Sequence, residues 1–260
     1  MASLRFKYSP MNAGKSSNLL QVAHNYMERG MNSLVLKPSI DTKGEDKVVG
    51  RGMKDTRKVD FLIAPDTNVY ELIINYLKKK VKKITNSEIL EKITRMESNP
   101  KKAQQLFDTI NEYLIEQGID INKENHFSNI LSAVLVDEAQ FLTEKQVKEL
   151  SDVAVILDIP VICFGLRTDF RGELFEGSAA LFKHAIICEE LTTVCICGKK
   201  ALYNARLVNG KYVKDGSQVA IDGEDEVTYI SLCPEHYREF VHGRNVKAER
   251  IEIKKKMLKK

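Results

Sequence analysis

The sequence of 260 residues lacks any apolar run close to the roughly 20 residues that a helix needs to cross a bilayer. Its first ten residues, MASLRFKYSP, lack the apolar core of a secretion signal. There are five cysteines, and an odd number in such a chain argues against a disulfide framework. Internal repeats and long low-complexity segments are also missing. We therefore expect a cytoplasmic protein whose thiols are reduced.

The chain also has little excess of either charge, since its formal net charge is only +4. With 43% hydrophobic and 29% charged residues, the composition is that of a soluble globular protein. The length suggests one full domain plus a small one. Lysines are concentrated in LKKKVKK near residue 80 and in the C-terminal IKKKMLKK. A nucleic-acid patch is one interpretation of these runs, and solvated helix faces with a frayed tail are the favoured one.

Hydrophobic periodicity predicts alternating strands and helices. LRFKYS (4–9) is a candidate strand, residues 16–30 have helical spacing, and NSLVLKP (32–38) is a second candidate strand. A parallel sheet with crossover helices is the expected consequence. Further candidate elements are the strands SAVLVDEAQF (132–141), IPVICFG (159–165) and HAIICEE (184–190), and a helix over 143–158 that opens with a capping box.

The pattern changes in two places. Residues from about 75 to 125 are charged and helical in spacing, and we interpret them as a helical insertion. Residues after about 191 are rich in glycine, cysteine and turns. The predicted organisation is an α/β domain over 1–190, a small domain over 191–245 and a basic tail over 246–260.

The segment SPMNAGKS (9–16) lies between the first predicted strand and helix. Backbone N–H groups of a tight turn before a helix point at phosphate oxygens, and Gly14 permits close approach. Lys15 can neutralise β- and γ-phosphate charge, and the Ser16 hydroxyl can bind Mg²⁺. Such loops usually open with glycine, whereas this one opens with Ser9. An ordinary strand-to-helix turn therefore stays an alternative, although the flanking elements favour phosphate binding.

The segment VLVDEAQF places two carboxylates at the end of a buried strand. A buried carboxylate is costly unless it has a partner or a role. In phosphate-loop enzymes the strand-end aspartate helps to hold Mg²⁺, which suits Asp137. Glu138 would then stand beside the γ-phosphate, where a base can take a proton from an attacking hydroxyl. The alternative is that both carboxylates cap a nearby helix.

The last third of the chain contains three cysteines and one histidine in two close pairs: Cys195, Cys197, Cys233 and His236. Three thiolates and one imidazole suffice for a closed tetrahedral zinc site, which would be structural. The first pair is Cys-x-Cys rather than the usual Cys-x-x-Cys, and chance clustering of thiols is the alternative. Cys163 and Cys188 lie in apolar strands, and we interpret both as core residues.

These motifs together resemble the type II thymidine kinase family over most of the chain outside the insertion. The segments that carry the resemblance occur in family order: YSPMNAGKSSNLLQ, LVDEAQFLTEKQV, IPVICFGLRTDFRGELF, CICGKKA and YISLCPEH. Ser9 at the start of the phosphate loop and Cys-x-Cys in the first zinc pair resemble the enterobacterial-like branch. The resemblance implies a P-loop NTPase fold, with a parallel sheet flanked by helices, and a small zinc-binding lasso domain. It also implies that the loop binds ATP.

The resemblance assigns roles to particular residues. Glu138 looks like the general base that deprotonates the 5′-hydroxyl of thymidine. The residues implied to bind ATP and magnesium are Ser9, Pro10, Met11, Asn12, Ala13, Gly14, Lys15, Ser16, Asp137 and Gln140. The residues implied to line the nucleoside site are Met11, Asp41, Phe141, Leu166, Phe170 and Tyr229. Phe141 and Phe170 would equally suit core positions in an α/β domain. The segment between the zinc pairs resembles the lasso loop, which closes over thymidine largely through backbone hydrogen bonds.

Three features depart from the family pattern. Lys43 stands where arginine commonly follows the acidic position of Asp41, and lysine lacks the planar fork of arginine. The lasso reads IDGEDEVTYISLC without the usual Gly-Gly, so nucleoside contacts near Asp222 and Gly223 could be displaced. The insertion over 75–125 is expected to be longer than the family norm.

The resemblance implies transfer of the ATP γ-phosphoryl to thymidine, giving thymidine monophosphate, by a homotetramer that its triphosphate end product inhibits. Arg167 and Arg171 are candidates to stabilise charge on the transferring group. The alternatives are a nucleic-acid-dependent ATPase, a kinase for deoxyuridine or another nucleoside, and a non-catalytic nucleotide-binding scaffold. The lysines lie away from the zinc pairs and no aromatic-rich stacking face is evident, which speaks against nucleic acid. An intact set of loop and strand-end residues speaks against the scaffold.

Overall fold

The computed structural model describes residues 2–41, 46–50, 56–80, 101, 131–218 and 226–258. The strands are β1 (Leu4–Ser9), β2 (Ser33–Pro38), β3 (Lys47–Val49), β4 (Thr56–Lys58), β5 (Phe61–Ile63), β6 (Ala133–Val136), β7 (Val161–Leu166), β8 (Ile187–Glu190), β9 (Tyr203–Val208), β10 (Lys211–Val213) and β11 (Val227–Leu232). The helices are α1 (Lys15–Glu28), α2 (described over 69–80), α3 (Glu144–Ile156), α4 (Glu176–His184), α5 (Pro234–Phe240) and α6 (Val246–Leu258).

Six strands form one parallel sheet in the order β5-β2-β6-β7-β1-β8. β1 lies between β7 and β8, with Phe6 opposite Cys163 on one side and Cys188 on the other. The carboxyl ends of β1, β6 and β7 therefore meet at one edge of the sheet, which is where open α/β sheets bind ligands. The parallel sheet that the sequence predicts is confirmed.

Helices cover both faces of this sheet, because its strands carry apolar side chains on both faces. On one face α1 buries Leu19 and Ala23 against Leu135 and Phe164. On the other face α2, α3 and α4 pack on a second, larger cluster around Phe6. The result is a three-layer α/β/α domain, in which loops form the edge at the carboxyl ends of the strands.

Helix α3 begins with the capping box that the sequence predicts. The Thr143 hydroxyl accepts from the backbone N–H of Gln146, and the Gln146 side chain accepts from the backbone N–H of Thr143, so the capping box is formed. On the neighbouring helix α2, the side chain of Asn68 accepts from the N–H of Glu71. The buried Glu149 of α3 accepts from the N–H of Val69 and so joins the middle of α3 to the start of α2.

Two glycines allow the turn after β6 to approach its neighbours closely. The 3₁₀ turn Ala139–Phe141 follows Glu138, and Gly177 of α4 faces its backbone. A Cβ on Gly177 would lie 2.5 Å from the carbonyl oxygen of Ala139 and 2.7 Å from that of Leu142. A Cβ on Gly165 of β7 would lie 3.0 Å from the backbone nitrogen of Gln140. Both positions need glycine for clearance.

A second, smaller unit follows β8. Its three antiparallel strands, in the order β10-β9-β11, form a ribbon that α5 covers. The ribbon is attached to the α/β domain by the buried hydroxyl of Tyr237, which donates to the carbonyl of Phe170 at 2.6 Å. The remaining pair, β3 and β4, forms a separate two-stranded sheet.

The structure corrects two expectations and limits a third. Cys163 is buried, but Cys188 is exposed, because β8 is the edge strand of the sheet. Residues 246–258 form the exposed helix α6 rather than a frayed tail. Residues 75–80 continue α2, and Leu77 there packs into the main core. The rest of the predicted insertion, apart from Lys101, lies outside the described residues, and the domain boundaries stay predictions.

None of the helices that the structure describes combines the length and the apolar composition needed to cross a membrane.

Gly177→Ala should destabilise the protein, although alanine is intrinsically the better helix former by about 1 kcal/mol. The added Cβ overlaps backbone carbonyl oxygens that cannot rotate away, and overpacking of this kind costs about 1–3 kcal/mol or more. Thermal unfolding measures the effect, with a loss of about 2–4 °C expected per kcal/mol. Ala179→Ser, at an exposed position of the same helix, is the control and should have little effect. A Gly177→Ala variant that melts at or above the wild-type temperature would contradict this close approach.

Candidate active site and zinc cluster

The loop between β1 and α1 has the backbone form of a phosphate-binding turn. Asn12 and Gly14 have φ values of 61° and 75°, so the chain turns through the left-handed region twice before the helix. The N-cap residue of α1 is Gly14, which has no side chain to cap the first N–H groups. Those groups, at the positive end of the helix, are therefore suited to bind an anion.

Ser9 supports the lysine of this loop. The Lys15 ammonium donates to the hydroxyl of Ser9 and to the carbonyl of Pro10, both at 3.1 Å. The Ser9 side chain is fully buried and its hydroxyl donates to Pro10 at 2.7 Å. Serine at the first loop position thus has a structural role, which a glycine could not supply.

Asp137 and Ser16 meet at the end of β6. The Ser16 hydroxyl donates to one Asp137 carboxylate oxygen at 3.3 Å. The other oxygen, Oδ1, is buried and has no hydrogen-bond partner among the described residues. Burial, together with the charge of Glu138, raises the pKa of Asp137 to about 7. A buried carboxylate oxygen without a partner beside a hydroxyl fits Mg²⁺, which prefers oxygen ligands.

Glu138 is held in an uncommon backbone conformation by its neighbours. Its φ of 47° is in the left-handed region, and such residues cluster at functional sites. Its carboxylate accepts a hydrogen bond of 2.7 Å from the side-chain amide of Gln140. The amide oxygen of Gln140 accepts in turn from the backbone N–H of Leu166 at 3.0 Å. Gln140 therefore connects the candidate base to the end of β7, and its implied contact with ATP or magnesium stays a prediction.

Phe170 and Tyr229, two residues of the predicted nucleoside site, are brought together by an arginine. The guanidinium of Arg206 lies 3.8 Å from the ring centroid of Phe170, a cation–π contact. Its Nε donates to the Tyr229 hydroxyl at 2.9 Å, and a second nitrogen donates to the carbonyl of Ser217 at 2.9 Å. Phe170 is 1% exposed, so it presents only a small part of its surface to a ligand.

The other residues predicted for the nucleoside site have separate neighbours. Leu166 is buried at the end of β7, opposite Ser9 of the phosphate loop. Phe141 packs edge-to-face on Phe175. Asp41 pairs with the buried ammonium of Lys37 at 2.7 Å. The predicted contacts of Lys43, Asp222 and Gly223 lie outside the described residues.

Arg167 and Arg171, the two candidates to stabilise charge on the transferring group, differ in their contacts. Arg171 is paired with the buried carboxylate of Asp169 through two nitrogens, at 2.9 and 2.8 Å. Arg167 follows β7 directly, and its backbone N–H donates to the carbonyl of Ser9 in the phosphate loop. Arg167 is therefore the better placed of the two to approach a phosphate on that loop.

The four predicted metal ligands converge. The ligand atoms of Cys195, Cys197, Cys233 and His236 all lie within 4.8 Å of one another. The two sulfurs of Cys197 and Cys233 are 3.8 Å apart, close to the roughly 3.8 Å edge that a tetrahedral zinc site with bonds of about 2.3 Å requires. Burial acts to raise the pKa of Cys195, but hydrogen bonds with the backbone N–H groups of Cys197 and Cys233 and with the side chains of His236 and Cys233 together lower it to about 6. Burial raises the pKa of Cys233. These residues fit a structural zinc ion, whose charge would complete thiol deprotonation.

Sequence reasoning missed several polar residues of the ribbon. Asn204 and Ser231 form hydrogen bonds with the phosphate loop, and Arg206 with the predicted nucleoside site. The available signal was polar alternation, since YNAR and YISL place these residues at every second position of a strand. Tyr237, which joins the ribbon to Phe170, had no such signal.

Comparison with known proteins gives one consistent result. A family model described as thymidine kinase matches residues 2–85 and 93–237. A thymidine kinase from Haemophilus influenzae is 41% identical over 242 residues, which are 92% of this chain and 97% of that protein. A thymidine kinase from Shewanella oneidensis is 40% identical over 93% of this chain and 99% of that protein. A thymidine kinase from Enterobacteria phage T4 is 39% identical over 92% and 97%, respectively.

The match to the family model is interrupted within the predicted insertion. The family model leaves out residues 86–92 of the segment 75–125. The expectation that the insertion is longer than the family norm stays a prediction.

Zinc analysis tests the cluster directly. The purified protein should contain about one zinc ion per chain, measured by mass spectrometry of the metal. Cys197→Ser should lose most of it and melt at a lower temperature, because a serine hydroxyl is a poor ligand for zinc. Cys188→Ser is the matched control, since Cys188 is also exposed but lies outside the cluster. Wild-type protein without zinc, or equal loss in both variants, would show that the cluster does not bind the metal.

Proposed function

This chain belongs to the thymidine kinase family, and we propose that it transfers the γ-phosphoryl group of ATP to the 5′-hydroxyl of thymidine, giving thymidine monophosphate. The observation that carries the proposal is the meeting of three elements at one sheet edge. These are the phosphate loop after β1, the paired carboxylates after β6, and the end of β7 with Phe170 beyond it. This arrangement supports adjacent donor, base and acceptor sites in the proposed reaction.

The loop binds the triphosphate of ATP. Its left-handed residues and the start of α1 direct N–H groups at the phosphates, and Lys15 neutralises their charge. Mg²⁺, held by Asp137 and Ser16, would supply further neutralisation of the phosphate oxygens when bound. Positioning and charge neutralisation are the main contributions that this chemistry requires.

Glu138 takes the proton of the attacking hydroxyl. Its carboxylate is half-buried, and the amide of Gln140 fixes one of its oxygens. We assign the proton transfer to its other oxygen. Arg167, beside the loop, stabilises negative charge on the transferring group. These roles require that the base, and not only the loop, is intact for turnover.

The nucleoside binds against Phe170, Leu166 and Tyr229. Arg206 orients Tyr229 and contacts the middle of the segment between the zinc pairs through Ser217. A zinc ion in the cysteine–histidine cluster stabilises that segment without taking part in the chemistry. The site is built for a pyrimidine deoxynucleoside, with thymidine as substrate and deoxyuridine as the competing candidate.

Several further properties belong to this proposal. The kinase acts as a cytoplasmic homotetramer, is inhibited by its triphosphate end product, and belongs to the enterobacterial-like branch. Each of these properties is inferred from the resemblance of the motifs. Each can be tested independently of the reaction.

Glu138→Gln should keep Mg-ATP binding within about twofold and lower kcat by about 10²-fold or more, because the amide cannot accept the proton. The shape of the side chain and its bond from Gln140 are preserved, so the fold should be unaffected. Steady-state kinetics with thymidine and calorimetric titration with Mg-ATP separate the two effects.

The matched control for this variant is Glu28→Gln, which changes an exposed carboxylate near the end of α1. Its kcat should equal that of the wild type. Normal turnover by Glu138→Gln would remove Glu138 as the base.

A further inference from the structure

One face of the ribbon formed by β10, β9 and β11 carries polar side chains instead of apolar ones. Asn204 of β9 lies opposite Ser231 of β11, and Arg206 lies opposite Tyr229. Successive side chains of a strand point to opposite faces, so all four lie on the same face. Asn204, Arg206 and Ser231 are each less than 10% exposed. Buried polar groups in such number require partners, and their partners lie in the α/β domain and around Phe170.

Two of these side chains bind one residue of the phosphate loop. The side-chain oxygen of Asn204 accepts from the backbone N–H of Met11 at 2.7 Å. The hydroxyl of Ser231 donates to the carbonyl of Met11 at 2.6 Å. Both polar backbone groups of Met11 are thus held by the ribbon, which lies about 200 residues away in the sequence. The amide of Asn204 also donates to the carbonyl of Thr168 beyond β7 at 2.9 Å.

The position of these bonds within the loop gives them their effect. Met11 directly precedes Asn12, the first of the two left-handed residues. Peptide groups are planar, so a residue held at its N–H and at its carbonyl has both flanking peptide planes fixed. The direction of the following N–H groups, which face the phosphates, then depends on where the ribbon holds Met11.

We infer that Asn204 and Ser231 are positioning residues for ATP. Through these two side chains the ribbon sets the shape of the phosphate loop. The inference rests on the proposed function only in assigning ATP to that loop. The same ribbon face contacts the predicted nucleoside site through Arg206 and Tyr229. On this inference, the same ribbon face positions both substrates.

A simpler role for these bonds would be to attach the ribbon to the α/β domain. Tyr237 separates the two interpretations, because its hydroxyl forms an equally short and buried bond with Phe170 and none with the loop. If the bonds of Asn204 and Ser231 merely attached the ribbon, Tyr237→Phe would weaken ATP binding as much as their removal does.

Calorimetric titration of the full-length zinc-loaded protein with Mg-ATP, without nucleoside, is the test. Ser231→Ala should raise the Kd for ATP about fivefold to tenfold, and Asn204→Ala about tenfold or more, since each leaves a backbone group of Met11 without its partner. Ser231→Thr, which keeps the hydroxyl, should restore binding to within about twofold. Tyr237→Phe, and Thr228→Ala on the opposite face of β11, should leave the Kd within about twofold.

Kinetics provide a second readout. Ser231→Ala should raise the KM for ATP by the same factor while the KM for thymidine changes less than about twofold, because the nucleoside contacts of Arg206 and Tyr229 are kept. A Kd within twofold of wild type for Ser231→Ala would overturn the inference, whether or not Asn204→Ala folds. Equal weakening by Tyr237→Phe would also overturn it.

The two proposals fail in different ways. Wild-type protein that binds Mg-ATP but does not phosphorylate thymidine would contradict only the proposed function. Wild-type protein that does not bind Mg-ATP would contradict both.

Discussion

The bridge that Gln140 makes between Glu138 and Leu166 is the interaction on which the rest of the site depends. A glutamate at a φ of 47° is strained by an amount on the order of 1–3 kcal/mol, so its surroundings must hold it there. One amide does so by bonding its carboxylate and, at the other end, the last N–H of β7. Gly165 and Gly177 remove the side chains that would otherwise block this approach. The buried side chain of Gln140 therefore fixes Glu138, the candidate base, relative to the sheet.

A second constraint acts from the other direction. The sheet edge alone leaves the phosphate loop as an exposed turn, and the ribbon holds it through Met11. The ribbon in turn folds around four side chains that suit zinc, and its own core is small. Small units of this kind commonly need a metal or a similar cross-link to be stable. A zinc ion bound by these side chains would contribute to the geometry of both proposed binding sites without contacting a substrate.

Much of this arrangement could be predicted from the sequence, because it depends on local patterns. The strand–loop–helix unit around Lys15, the strand that ends in Asp137 and the zinc quartet each have fixed spacings, and the structure brings each together. What could not be predicted depends on long-range packing. The exposure of Cys188 follows from β8 being an edge strand, and the hydrogen bond of Asn204 with Met11 joins positions 193 residues apart. Neither the place of a strand in the sheet nor its distant hydrogen-bond partners can be read from the sequence of that strand alone.

The reaction proposed for this sheet edge is transfer of a phosphoryl group to a nucleoside. It is tested by an assay of the purified protein with Mg-ATP and a panel of deoxynucleosides, following nucleoside monophosphate and ADP together. We expect thymidine-dependent formation of thymidine monophosphate in equal amount to ADP, abolished by Lys15→Ala. Release of ADP without any phosphorylated nucleoside would contradict it and would favour an ATPase of this fold instead.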